Sequence, residues 1–202
     1  MIAAIQAGGR SSRMGEDKAW LMLDGRPMIE HVLAGAQPVA ERIVIVINQA
    51  NPNLARYEQM AGRWQAKLLF DRHDHRGPLG GIETALAYSG AGKSALILAC
   101  DLPFVTTAFL QLLHARHETE AADLTVPFDA EGHPQMLAAI YSAPCLPQVA
   151  TLLAADELKA RLLMTRVQTR CVQFAEYAHL VAADRLLRNV NTPGDYQKII
   201  QP

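Results

Sequence analysis

The most chemically suggestive stretch of this sequence spans residues 6–18 and reads QAGGRSSRMGEDK. Its two glycines allow main-chain N–H groups to approach a ligand that a Cβ would keep away. Ser11 and Ser12 can donate hydrogen bonds, Arg13 can bind two phosphate oxygens at once, and Lys18 adds a second positive charge. These residue types favour a phosphate-binding loop. On this segment alone, an ordinary strand-to-helix turn with scattered surface cations stays open.

Two aspartates follow apolar runs that are typical of buried strands. Asp101 ends the run ALILACD, and Asp71 ends KLLFD. Mg²⁺ prefers one or two carboxylates together with phosphate oxygens and water, so either residue suits a metal or a metal-bound water. Each carboxylate could instead cap a turn, which Pro103 favours after Asp101. Because both would lie on adjacent strand ends beside a phosphate loop, we favour the ligand-binding interpretation.

Glycine recurs in two further motifs. Residues 77–81 read GPLGG, which predicts either a close main-chain approach to a base or ribose or simply a helix start with proline in its first turn. Residues 90–94 read GAGKS, like the end of a P-loop, but Ala87 replaces the required glycine and the motif leads into a strand. We therefore interpret GAGKS as a plain turn.

Two polar clusters have simpler interpretations. His73, Asp74 and His75 alternate in a polar segment and indicate solvated surface rather than a metal site. Residues 189–193 read NVNTP, which is also a good helix entry with threonine as the N-cap and proline at the first helical position. No Ser/His/Asp triad or paired-carboxylate hydrolase pattern with usable spacing is present in the sequence.

The elements that would position these residues alternate along the first half of the chain. Apolar, β-branched runs predict strands, and helical spacing predicts helices between them. The predicted strands are Ile2–Ile5, Arg42–Asn48, Lys67–Asp71 and Ala95–Asp101. The predicted helices are Met28–Ala36, Asn53–Ala61, Gly80–Tyr88 and Thr106–His117. Such a pattern indicates an α/β fold with a mostly parallel central sheet and helices on both faces, which binds ligands at the carboxyl ends of its strands.

The second half is less regular. It predicts strands over Asp123–Asp129 and Gln135–Tyr141, a helical stretch over roughly Leu146–Arg166, a strand around Cys171–Phe174 and a final helix after Pro193. With no linker or repeat, we expect one domain over residues 1–202. Its half from 1 to about 105 would bind the nucleotide, and its half from about 106 to 202 the acceptor.

Composition excludes several classes of protein. Half of the 202 residues are hydrophobic, 19% are charged and the formal net charge is −1, which argues against disorder and against nucleic-acid binding as a main activity. Three widely spaced cysteines without a CxxC pair indicate free thiols rather than disulfides or zinc. No long apolar run and no signal-like start is present, so we expect a cytoplasmic protein without a membrane partner.

Taken in order, five motifs resemble the molybdenum cofactor guanylyltransferases, a family with the Rossmann-like α/β fold of nucleotidyltransferases. The motifs are QAGGRSSRMGEDK, GPLGGI, ACDLPFV, GHPQMLAAIY and NVNTPGDY, and the resemblance runs from Ile2 to about Tyr196. The first and last motifs are the most specific. The resemblance implies Mg²⁺-dependent transfer of GMP from GTP to the terminal phosphate of molybdopterin, with release of pyrophosphate. It also implies other cofactor-biosynthesis proteins and apo-molybdoenzymes as further partners.

Site residues are carried over from the family by position. Arg13, Lys18 and Asp101 would be catalytic, Asp101 would bind Mg²⁺, and Asn189 and Asn191 would lie near the acceptor. The residues that would bind GTP, with Gly81 in a loop near the guanine, are Gln6, Ala7, Gly8, Gly9, Lys18, Asn48, Asp71, Gly81 and Asp101.

One departure from the family pattern is Gln6, which occupies a position that is usually leucine. Because the family's contact there is largely through the main chain, we expect little loss of activity from the exchange. A cytidylyltransferase acting on the same pterin, a sugar-1-phosphate nucleotidylyltransferase and a non-catalytic carrier of nucleotide or cofactor stay open as alternatives. No residue reads guanine unambiguously.

Overall fold

The computed structural model describes residues 1–7, 17–73, 76–190 and 194–195. Strands and helices alternate through these ranges. The strands are β1 (Ile2–Gln6), β2 (Met22–Leu23), β3 (Arg26–Pro27), β4 (Arg42–Ile47), β5 (Lys67–Phe70), β6 (Ala95–Ala99), β7 (Leu124–Pro127), β8 (Ala138–Tyr141) and β9 (Thr169–Val172). The helices are α1 (Met28–Ala36), α2 (Leu54–Arg63), α3 (Pro78–Ser89), α4 (Thr107–Glu120), α5 (Cys145–Ala154) and α6 (Phe174–Tyr177).

One seven-stranded sheet organises the molecule, in the order β5-β4-β1-β6-β8-β7-β9. β1 pairs in parallel with both β4 and β6, β5 extends the parallel array at one edge, and β7 and β9 pair in parallel at the other. β8 runs antiparallel to both of its neighbours. The mostly parallel α/β sheet predicted from the sequence is thus confirmed, with β8 as the exception.

Hydrophobic side chains cover the sheet on both faces because alternate residues of a strand point to opposite sides. Ala3 and Ile5 of β1 belong to a cluster with α1, α2, α4 and α6, whereas Ile2 and Ala4 belong to one with α3 and α5. The buried side chains of β1, β4 and β6 give the near-continuous apolar runs seen in the sequence. The prediction of helices on both faces is confirmed.

The stretch Leu146–Arg166 differs from the long helix that its pattern predicts. Helix α5 ends at Ala154, and a 3₁₀ helix follows only at Ala160–Thr165. The last strand also lies two residues earlier than predicted, at Thr169–Val172. The helix predicted after Pro193 falls almost entirely outside the described residues.

Several smaller expectations hold. Residues 90–94 form an exposed turn between α3 and β6, with φ of 88° at Gly90 and 71° at Gly92, so GAGKS is not a P-loop. Cys100, Cys145 and Cys171 are free thiols. Within the described ranges, no helix has the length and apolar character needed to cross a membrane.

Candidate active site

Polar residues follow neighbouring parallel strands at one edge of the sheet. Across β5, β4, β1 and β6 they are Asp71, Asn48, Gln6 and Asp101, in that spatial order. Gln6 is the last residue of β1, whereas the other three lie one or two residues beyond the strand ends. All four are half-buried, so the edge forms a continuous polar row above an apolar sheet.

Main-chain hydrogen bonds extend the sheet past the formal strand ends and fix this row. Ala7 N donates to Val46 O at 2.9 Å, and Asp71 N donates to Ile47 O at 2.8 Å. Cys100 N donates to Gln6 O at 3.0 Å, which holds the residue before Asp101 against β1. The row is therefore continuous with the main-chain hydrogen bonding of the central sheet.

Lys18 and Asp101 meet at this edge although they are far apart in the sequence. Lys18 Nζ lies 3.4 Å from Asp101 Oδ2, and both side chains are four-fifths buried or slightly more. Burial raises the pKa of the Asp101 carboxyl, and the Lys18 ammonium acts in the opposite direction. The pair places one positive and one negative group where a phosphate and a metal ion could be bound together.

Helix α3 begins against two side chains of the row. A Cβ on Gly80 would lie 2.5 Å from Asp71 Oδ1, and one on Gly81 would lie 2.6 Å from Gln6 Cδ. Gln6 Nε2 also donates to Pro78 O at 3.2 Å. The expectation that Gly81 lies in a loop is wrong, because it belongs to the first turn of α3 and packs on Gln6.

The two asparagines predicted near the acceptor are only partly described. Asn189 is half-buried, and the next residue, Val190, donates its N–H to Asp101 O at 3.0 Å. This bond brings the Asn189 main chain close to the main chain of Asp101. Asn191 lies outside the described residues, as do Gly8, Gly9 and Arg13 of the amino-terminal segment.

The sequence interpretation missed two residues of this edge, Asp17 and Tyr57. Tyr57 of α2 is fully buried, and its hydroxyl lies 2.8 Å from Asp17 Oδ2 and 3.2 Å from Ala7 O. A buried tyrosine requires a partner for its hydroxyl. The sequence offers that signal, but not which acceptor the hydroxyl would reach.

No ready-made metal cluster accompanies these residues. In the ranges that the structure describes, no group of three or more His, Cys, Asp or Glu side chains is arranged to hold an ion. His73 instead contacts Glu83, with 2.7 Å between Nε2 and Oε2.

Comparisons with known proteins identify a family model and relatives that are similar to this chain. The family model described as the MobA-like NTP transferase domain matches residues 3–171. The probable molybdenum cofactor guanylyltransferase of Flavobacterium johnsoniae is 36% identical over 187 residues, covering 90% of this chain and 92% of the relative. The molybdenum cofactor guanylyltransferase of Shewanella amazonensis is 32% identical over 200 residues, covering 98% of this chain and 94% of the relative.

A solved structure extends the likeness to three dimensions. The crystal structure of molybdopterin-guanine dinucleotide biosynthesis protein A from Archaeoglobus fulgidus superposes with a TM-score of 0.82 at 25% identity. The match covers 98% of this chain and 96% of that one.

Proposed function

The chain belongs to the MobA-like NTP transferase domain family, together with the molybdenum cofactor guanylyltransferases, and from that membership we propose that it transfers GMP from GTP to the terminal phosphate of molybdopterin. The products are the guanine dinucleotide form of the cofactor and pyrophosphate. The observation that carries the proposal is the polar row at the carboxyl ends of β5, β4, β1 and β6, with Lys18 and Asp101 in contact at one end.

The chemistry requires little from the protein beyond position and charge. A terminal phosphate has its second pKa near about 6, so the acceptor is already largely a dianion at neutral pH. It can attack the α-phosphorus of GTP without a general base, and the P–O bond to the departing pyrophosphate breaks. The described residues of the row, which are Asp71, Asn48, Gln6 and Asp101, include neither histidine nor glutamate.

Within the ranges that the structure describes, Lys18 brings a positive charge to the site. Its ammonium is fixed beside Asp101, which suits a group that neutralises charge on the phosphates during transfer. Arg13, together with the main chain of Ala7, Gly8 and Gly9, would bind the triphosphate. These assignments follow from the positions that these residues occupy in the family motif.

Asp101 fits the Mg²⁺ ion that the family uses. Its carboxylate is largely buried, and burial raises its pKa, so a dication would stabilise the ionised form. One carboxylate is enough, since Mg²⁺ takes its remaining ligands from phosphates and water. When bound, the ion would neutralise charge on the triphosphate and the leaving pyrophosphate.

The other predicted site residues are assigned according to where they lie relative to Asp101 in the sheet. Asn48 and Asp71 follow β4 and β5 on the far side of β1, where they would contact the nucleoside. Gly81 would keep the first turn of α3 close to the guanine. Asn189, which precedes the residue that bonds to Asp101 O, would contact the acceptor together with Asn191.

The test is pyrophosphate release by the purified protein with Mg²⁺ and molybdopterin, comparing GTP with CTP, ATP and UTP. We expect release from GTP that depends on the pterin. Lys18→Met should lower the rate by at least about 100-fold, whereas the exposed control Lys93→Met should leave it unchanged. Release from CTP alone would instead indicate a cytidylyltransferase, and GTP binding without any release would indicate a carrier.

A further inference from the structure

We propose that Tyr57 is a positioning residue for Lys18, because its buried hydroxyl holds the Asp17 carboxylate that caps the 3₁₀ helix carrying Lys18. The inference rests on the proposed function, since Lys18 is assigned to the phosphates of GTP. Tyr57 itself would touch neither substrate. It would act through Asp17.

The contacts at the hydroxyl define the arrangement. Tyr57 Oη lies 2.8 Å from Asp17 Oδ2 and 3.2 Å from Ala7 O. The side chain is fully buried, so water does not reach the hydroxyl. Burial, with the Asp17 carboxylate nearby, raises the pKa of Tyr57 far above its usual range, so the hydroxyl stays protonated and donates to Asp17 Oδ2, the nearer acceptor.

Asp17 transmits this contact to the catalytic lysine. Its Oδ2 also accepts from Asn53 Nδ2 at 3.3 Å, and its Oδ1 accepts from Ala19 N at 3.2 Å. The last bond starts the 3₁₀ helix Lys18–Trp20, which carries Lys18 to Asp101. The hydroxyl of Tyr57 thus fixes the Asp17 carboxylate, and this carboxylate caps the short helix that carries Lys18.

The ring of Tyr57 is held independently of its hydroxyl. It packs on the Trp20 ring with 4.9 Å between centroids, and the guanidinium of Arg56 covers Trp20 at 4.2 Å. Replacing Tyr57 by phenylalanine keeps this packing and removes the two polar contacts alone. The variant therefore separates the effect of the hydroxyl on Asp17 from the packing of α2.

A fixed Asp17 should favour nucleotide binding. A side chain whose main chain is already held in place loses less conformational entropy when it contacts a ligand than one on a freer main chain. Lys18 therefore loses less freedom when it contacts the phosphates. Removal of the hydroxyl should therefore weaken binding of Mg²⁺-GTP more than it changes the protein's stability relative to a matched variant.

The experiment compares Tyr57→Phe with Tyr141→Phe. Tyr141 is likewise fully buried and donates to a main-chain oxygen, Met136 O at 2.7 Å, but its Cα lies at the opposite end of the sheet. The dissociation constant for Mg²⁺-GTP is measured by calorimetry and the unfolding midpoint by circular dichroism. We expect about ten-fold weaker binding for Tyr57→Phe and unchanged binding for Tyr141→Phe, with similar losses of stability.

A second variant keeps the inference testable if Tyr57→Phe folds poorly. Asp17→Asn removes the charged acceptor, and its effect on GTP binding should add little to that of Tyr57→Phe in the double variant. Equal GTP affinity of Tyr57→Phe and Tyr141→Phe, or fully additive effects with Asp17→Asn, would overturn the inference.

The outcomes also separate this inference from the proposed function. Wild-type protein that binds GTP but releases no pyrophosphate with molybdopterin would overturn the proposed function, whereas a ten-fold weaker Tyr57→Phe would still support the positioning role. Wild-type protein that binds no nucleoside triphosphate would overturn both.

Discussion

Asp101 combines two demands that oppose each other at the scale of a single residue. Burial raises the pKa of its carboxyl, so the ionised form that a metal ion needs is unfavourable in the folded protein without that ion. Lys18, at 3.4 Å, offsets only part of this effect. The residue thus costs stability in exchange for a carboxylate of high affinity for cations.

The exchange Asp101→Asn tests this balance. It should lower pyrophosphate release by at least about 100-fold and raise the unfolding midpoint at pH 7 by about 2–4 °C, as a gain of about 1 kcal/mol would. Because the folded pKa is raised, the wild-type cost is full above that pKa and disappears as the pH falls through it. The stability difference should therefore shrink on acidification.

Thermal unfolding of both proteins from neutral to acid pH, without added metal, measures the difference. Exchange of the exposed Asp184 for asparagine is the control and should leave activity and the pH trend unchanged. Full activity of the Asp101 variant would contradict its assignment.

Gln6 departs from the family's usual leucine, and its side chain has acquired a structural contact. Gln6→Leu removes the donor to Pro78 O, which should lower the free energy of unfolding by about 1 kcal/mol. Pyrophosphate release from GTP should change little, since the main chain of Gln6 is held by its bonds to the neighbouring strands. Steady-state rates with GTP and CTP check this prediction, and a change of base preference would show that the Gln6 side chain reads the base.

At the scale of elements, the start of α3 explains a motif that the sequence left ambiguous. GPLGG was compatible with a ligand contact or with a helix start. In the structure, a Cβ on Gly80 would collide with the side chain of Asp71, and a Cβ on Gly81 would collide with that of Gln6. The glycines therefore serve contact between α3 and the polar row, whether or not a base lies nearby.

Gly80→Ala should consequently behave unlike an ordinary helical glycine. Alanine usually stabilises a helix interior by about 1 kcal/mol, but here the new Cβ would displace the Asp71 carboxylate from its bond with His73 N. We expect a net loss of about 1–3 kcal/mol and weaker GTP binding. Urea unfolding and calorimetry measure both quantities.

Gly62→Ala in α2 is the matched control for this prediction. A Cβ there meets no atom within 4 Å, so the exchange should stabilise the protein by about 0.5–1 kcal/mol. A comparable gain from Gly80→Ala would contradict the steric explanation.

The sequence predicted elements better than it predicted their ends. α5 stops at Ala154 because Asp156 adopts a left-handed conformation with φ of 58°, while Asp156 N bonds to Leu153 O and Glu157 N to Leu152 O. This pair of bonds is the Schellman arrangement that usually contains glycine. Without a glycine, the apolar spacing through this segment predicted a helix that continues to Arg166.

In the candidate site, too, some residues were predicted from the sequence and others were not. Strand ends placed Asp71 and Asp101 at one edge, because parallel strands bring their carboxyl ends together. Tyr57 was not predicted, since a helical tyrosine shows from sequence that it is buried but not which atoms its hydroxyl meets. Such contacts depend on how α2 packs against β1, which no local pattern encodes.

At the scale of the whole molecule, a buried polar cluster joins elements at the amino ends of β6 and β7, at the end of the sheet opposite to the polar row. His117 of α4 is almost fully buried, with Nδ1 2.9 Å from Thr125 Oγ1 and Nε2 2.9 Å from Ser142 Oγ. Ser94, just before β6, completes the cluster at 3.2 Å from Nε2. Burial lowers the pKa of His117, so the ring is neutral where it connects α4, β6, β7 and β8.

This cluster predicts acid sensitivity of the fold. The unfolded chain protonates His117 near its ordinary pKa of 6.5, whereas the folded chain does so only at lower pH. Stability from the neutral ring is thus present above that value and falls as the pH drops from it towards the folded pKa. Between pH 7.5 and 5, His117→Gln should lose fewer degrees of unfolding midpoint than the wild type.

His114 of the same helix supplies the control, because its side chain is 40% exposed and pairs with Glu118. His114→Gln should keep the wild-type pH trend. Equal trends for His117→Gln and the wild type would remove the cluster as the cause.

The central position of β1 has a consequence for how the chain is made. Residues 2–6 leave the ribosome before both of their partners, which are residues 42–46 on one side and residues 95–99 on the other. At a synthesis rate of about 5–20 residues per second, one edge of β1 stays unpaired for roughly 5–20 s after it emerges. An apolar strand with an open edge is prone to pair with other chains. Slow translation or high expression should therefore aggregate the nascent amino-terminal half, and chaperones that cover exposed strands should increase the yield of folded protein.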